Sequence, residues 1–134
     1  MPSIIDIEGI GSEYTKKLRK FGIKTVEGLL KKGATPKGRE EIAKGTGIGH
    51  HSILEWVNRA DLYRIKGVGQ EYSDLLENAG VDTVVELSKR DAKNLTAKMT
   101  ESNTKRKVVR RLPTEKQVAG WIAQAKKLQR VVSY

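Results

Sequence analysis

The chain has 134 residues, 26 basic against 16 acidic side chains, and no cysteine, for a net charge of +10. That length allows one compact domain or two small ones sharing an interface, since units of about 60 residues bury too little surface to be comfortably stable alone. With no cysteine there is no disulfide framework, thiolate metal site or thiol nucleophile, which agrees with a reducing compartment. No apolar run approaches the 18 or so residues of a membrane span and no secretory h-region opens the chain, so a soluble, cytoplasmic protein is expected.

The predicted elements are helical throughout, with no apolar/polar alternation of the kind that argues strands. Ser3 can cap a single turn ahead of Gly9-Ile10-Gly11, and an amphipathic helix from Ser12 to Phe21 follows, closed by Gly22 as a left-handed cap. Thr25 starts a short helix carrying Val26, Leu29 and Leu30. Thr35-Pro36 reads as an N-cap with proline at the first helical position, opening a helix to about Lys44. A helix from His50 to Arg59 completes this part. Asp61 is then expected to cap a turn ahead of Gly67-Val68-Gly69. Helices follow over Gln70–Ala79, from Thr83, from Asp91 to about Glu101, and from Thr114 to about Arg130, the last with a Thr114/Gln117 capping box.

This order repeats itself. Ile7-Glu8-Gly9-Ile10-Gly11-Ser12-Glu13-Tyr14 returns as Ile65-Lys66-Gly67-Val68-Gly69-Gln70-Glu71-Tyr72, an offset of 58 that continues through Leu18/Leu76, Gly22/Gly80, Thr25/Thr83 and Leu29/Leu87. Later, Ile53, Trp56, Val57 and Ala60 match Val118, Trp121, Ile122 and Ala125 at an offset of 65. The chain therefore divides into units 1–60 and 61–134, the second having gained seven residues between Asn103 and Pro113. Both tryptophans lie in helical apolar stripes and are expected in the core, as are Tyr14 and Tyr72.

The charge is unevenly spread. Residues 1–63 hold eleven basic and eight acidic side chains (+3), residues 64–104 six and seven (−1), and residues 105–134 nine and one (+8). The inserted stretch supplies Lys105, Arg106, Lys107, Arg110 and Arg111, with Lys126, Lys127 and Arg130 further on. Such a cluster is either a solvated face or the footprint of a polyanion.

A glycine pair leading straight into a helix gathers unpaired backbone N–H groups where the helix dipole favours negative charge, and such a point accepts phosphate oxygens. Alternatively, the pairs only make tight corners between helices. The pattern Ile-x-Gly-(Ile/Val)-Gly, then Leu18 or Leu76, Gly22 or Gly80, and Thr-Val resembles the helix-hairpin-helix superfamily. It is most similar to the N-terminal domain of archaeal and eukaryotic RecA-type recombinases and to an uncharacterised bacterial family of tandem helix-hairpin-helix proteins. The resemblance covers nearly the whole chain. It implies an all-α fold of two packed helix-hairpin-helix units. It further implies sequence-independent binding of the DNA backbone by hairpin amides; the residues themselves show no nucleophile, base and orienter set and no metal-ligand spacing, so a non-enzymatic protein without cofactor or metal is expected.

Carried onto this sequence, the phosphate sites are Gly9, Ile10 and Gly11 with Lys16 and Lys17, then Gly67, Val68 and Gly69 with Lys66. A further hairpin is Gly47, Ile48 and Gly49, with Lys44, His50 and His51. The chain departs from the DNA-binding pattern in placing Glu13 and Glu71 two residues after the second glycine, where a carboxylate repels phosphate. On that ground Gly47–His51 is expected to be the best of the three sites. The adjacent histidines diverge by roughly 100° around a helix, poor geometry for sharing a metal. The alternative reading is a docking module for an acidic protein partner, with little DNA affinity. The oligomeric state is not legible.

Overall fold

A computed structural model describes residues 3–7, 9–107 and 109–134, and every regular element in it is helical. A 3-10 turn at Ile4–Asp6 precedes α1 (Gly11–Lys20), α2 (Val26–Gly33), α3 (Pro36–Thr46), α4 (His50–Leu62), α5 (Gly69–Asn78), α6 (Val84–Ser88), α7 (Ala92–Lys105) and α8 (Glu115–Lys127). The fold is all-α.

Five of the helices start where a side-chain oxygen takes up an orphan first-turn amide. Thr25 accepts from Gly28, Thr35 from Gly38, Thr83 from Glu86, Asp91 from Asn94 and Thr114 from Gln117, in each case at 3.0–3.1 Å. The Gln117 side chain returns the favour to the Thr114 N–H, completing the capping box. Gly22 and Gly80 close α1 and α5 with φ of 99° and 91°. Their neighbours Ile23 and Val81 bond back to Leu18 and Leu76 at 2.9 and 2.8 Å.

Three boundaries differ from the sequence expectation. Asp61 does not stand ahead of a separate turn: α4 runs through it to Leu62, and Asp61 is buried in that helix. α7 extends four residues past Glu101 to Lys105. α8 stops at Lys127 rather than near Arg130, because the chain turns to extended backbone at Leu128.

The contacts divide the chain into two units, one running to Asp61 and including Arg130–Tyr134, the other Leu62–Gln129. The sequence division had left 130–134 with the second unit. What draws it to the first is buried Arg39, whose guanidinium donates to the Gly33 carbonyl (2.8 Å) and to the Ser133 carbonyl (2.6 Å). The Ser133 N–H donates to Ala34 at 2.8 Å, Tyr134 Oη donates to Asn58 at 2.7 Å, and Val132 is buried. Burial lowers the Arg39 pKa, opposed by Tyr134, but a guanidinium starts so high that it stays charged at neutral pH.

Each unit has its own core, built by matched residues. Ile7, Leu18, Ile23, Val26 and Leu29 fill the first, and Ile65, Leu76, Val81, Val84 and Leu87 the second, all at most 3% exposed. Ile53, Trp56, Val57 and Ala60 are buried in α4, and Val118, Trp121, Ile122 and Ala125 in α8, as the helical stripes predict. The tyrosines depart from their predicted burial. Tyr14 is 38% exposed and Tyr72 half-buried, each laying its ring against a tryptophan.

Candidate nucleic-acid interface

The two glycine turns are built alike. Gly9 and Gly67 both have φ of 93°, and Gly11 and Gly69 have 66° and 56°, conformations that side chains rarely adopt. Between them Ile10 and Val68 are buried as plugs, their N–H groups donating to Ile7 (3.3 Å) and Ile65 (3.2 Å). In the second turn the Gln124 side-chain amide holds Lys66 from both sides, accepting from its N–H at 2.9 Å and donating to its carbonyl at 3.1 Å.

α1 and α5 start differently from the five side-chain-capped helices. Their N-cap residues are Ile10 and Val68, which offer no acceptor, so the first-turn amides of both helices have no side-chain cap. These amides carry the positive end of the helix dipole at an exposed surface. Glu13 and Glu71 stand in the same first turns and oppose an incoming anion.

The third glycine pair is a different object. Gly47 is the left-handed cap of α3, with φ of 76°, and its N–H donates to Ala43 at 2.8 Å. The Ile48 N–H donates to Thr46 Oγ1 at 3.2 Å and its side chain is buried. Two of the three amides expected to grip phosphate there are already occupied. Nearby Lys44 pairs with Glu40 at 3.3 Å, while His50 and His51 are exposed in the first turn of α4. In this pair, as at Ile10 and Val68 in the main turns, part of the amide set is already bonded within the chain. Among the described residues no group of three His, Asp or Glu side chains could hold a metal, and no helix is long and apolar enough to cross a membrane.

Of the remaining basic residues, Lys16 and Lys17 lie on the exposed face of α1, with Lys17 Nζ 5.7 Å from the Tyr14 ring centroid. Lys126 and Lys127 end α8, and Arg130 lies over the Tyr134 ring at 5.7 Å. Lys105 is the last residue of α7 and Arg106 its cap, with Lys107, Arg110 and Arg111 following, all exposed.

That basic segment is anchored to its unit at two points. Asn103 Nδ2 donates to the Val109 carbonyl (3.2 Å), and Asn103 Oδ1 accepts from the Val109 N–H (3.1 Å), while Val109 is buried. Tyr72 Oη donates to the Arg111 carbonyl at 3.0 Å. Since Tyr72 sits on the opening turns of α5, the basic segment is held one tyrosine side chain from the Gly67–Gly69 turn. At its start, Lys98, Lys105 and Arg106 line an open cleft of about 330 Å³ with Asn78, Glu101 and Ser102. The sequence had marked these cations and this turn separately. Neither the Asn103 bridge nor the Tyr72 link has a sequence signal, because both join residues by geometry alone.

A family model described as Domain of unknown function (DUF4332) matches residues 8–128. The chain belongs to that family. No curated protein and no solved structure matches it significantly. The DUF4332 match spans both glycine turns, both tryptophans and the whole basic segment, so a single family domain contains the duplication. Residues 1–7 and the closing residues that pack on Arg39 lie outside the match.

Proposed function

We propose that this protein is a non-enzymatic module that binds the DNA backbone without base preference, using glycine-turn amides and basic side chains. The observation that carries the reading is the anchored segment Lys105–Arg111, held by Asn103 and Tyr72 beside the Gly67–Gly69 turn. Five cations on an ordered segment lose less freedom on binding than the same charges on a free strand. The uncapped starts of α1 and α5 add neutral donors for phosphate oxygens. The likeness of both turns to helix-hairpin-helix proteins supports the same reading. Contacts of this kind fix position on the duplex and carry no base information.

Glu13 and Glu71 favour a second reading, a docking surface for an acidic-patch-bearing protein, in which the first turns never receive phosphate. The two readings separate on labelled duplex and single-stranded DNA titrated across about 50 to 200 mM salt. A backbone binder shows log K falling steeply and linearly with log salt, and the slope shrinks when the five cations are neutralised. A protein-docking module shows no DNA complex at the upper end of that range.

A further inference from the structure

Each glycine turn lies over a tryptophan. A methyl group built on Gly9 would stand 3.6 Å from Trp56 Nε1, and one built on Gly67 3.2 Å from Trp121 Nε1. Trp56 is 4% and Trp121 3% exposed, and neither indole N–H has a hydrogen-bond partner among the described residues. Neither nitrogen is sealed inside the protein: each reaches solvent beside its turn and can take an acceptor from outside. The rings are held by their surroundings: Tyr14 packs on Trp56 and Tyr72 on Trp121, both at 5.2 Å between centroids and tilted by 55° and 47°. At both places the residue over the donor is glycine, which places no side chain of its own there.

The geometry points to the two indole N–H groups, Trp56 Nε1 and Trp121 Nε1, as built-in oxyanion donors of the glycine turns. Each joins the uncapped first-turn amides to receive one phosphodiester oxygen. The inference rests on the nucleic-acid reading above and names the donor set of its two turn sites. Glu13 and Glu71 put negative charge in the same first turns. The turn then needs donors that hold an oxygen by direction, while the lysines and arginines supply the net charge. Repetition in both units makes the expected stoichiometry two oxyanions per chain.

The test uses the full-length protein labelled with nitrogen-15, whose two indole N–H signals are resolved and assigned with Trp56→Phe and Trp121→Phe. A short duplex DNA is the first probe and inorganic pyrophosphate the second. Both indole signals are expected to shift with either probe. Each Phe variant, which keeps an aromatic ring against its tyrosine but removes the donor, should bind duplex about tenfold more weakly, the loss of a hydrogen bond to a charged oxygen. Its salt slope should not change, since no cation has been removed. DNA binding with both indole signals unmoved, and both Phe variants at full affinity, overturns the inference while leaving the backbone reading intact. Shifts with pyrophosphate but no DNA complex keep the oxyanion sites and overturn the backbone reading. No response to either probe overturns both, and the wild-type spectra decide this even if a Phe variant fails to fold.

Discussion

Asn103 grips Val109 by both ends of one peptide unit's neighbourhood, accepting from its N–H at 3.1 Å and donating to its carbonyl at 3.2 Å. A single side chain thereby substitutes for the secondary structure that the segment after α7 lacks. Asn103→Ala leaves two part-buried polar groups of Val109 without these bonds, at a cost of about 1–3 kcal/mol. Urea denaturation should show that loss. DNA affinity should fall several-fold at constant salt, because the cations remain but are no longer held in place.

The paired tyrosines give an internal control. Tyr72 Oη donates to the Arg111 carbonyl, whereas Tyr14 Oη makes no hydrogen bond among the described residues. Tyr72→Phe should destabilise by about 0.5–1.5 kcal/mol and raise amide exchange in the basic segment. Tyr14→Phe should lie within about 0.5 kcal/mol of the parent. Equal effects in thermal denaturation would show that the Arg111 link contributes nothing.

Gly33 is buried at the end of α2, and a Cβ there would collide with the side chain of Val57 on α4. The helices approach closely because that position has no side chain. Gly33→Ala should therefore destabilise by about 1–3 kcal/mol, the usual cost of overpacking, although alanine is the better helix former. A melting temperature unchanged or raised would mean that Val57 moves aside without cost.

Arg39 holds the closing segment through the carbonyls of Gly33 and Ser133. Arg39→Lys keeps the charge but cannot reach both acceptors with a rigid fork. The Ser133 amide, bonded to Ala34, should lose its exchange protection in Arg39→Lys and in Arg39→Met alike. Protection retained in the lysine variant would assign the anchoring to Val132 burial and Tyr134 instead.

Much of this architecture is written locally. Thr25, Thr35, Thr83, Asp91 and Thr114 each cap the helix they were expected to start, because a cap is a contact over three residues. The apolar stripes around Trp56 and Trp121 predicted burial for the same reason. What escaped the sequence is non-local or depends on competition between groups. Nothing in the pattern shows Arg39 reaching Ser133 across 94 positions, or Asn103 turning back onto Val109. The amides of Gly47 and Ile48, like those of Ile10 and Val68 in the main turns, looked free until their acceptors within the chain were located. Tyr14 and Tyr72 occupy apolar-looking positions, yet they lie over the tryptophans rather than within the core.

The central claim is that the anchored cations engage a phosphate backbone. Its most direct test is duplex DNA binding across about 50 to 200 mM salt by the parent and by a variant with Lys105, Arg106, Lys107, Arg110 and Arg111 changed to glutamine. The account predicts a complex that persists at about 150 mM salt, with the slope of log K against log salt reduced by up to about 0.9 for each cation removed. A variant that binds like the parent with the same slope, or a parent that forms no complex at that salt, would contradict it.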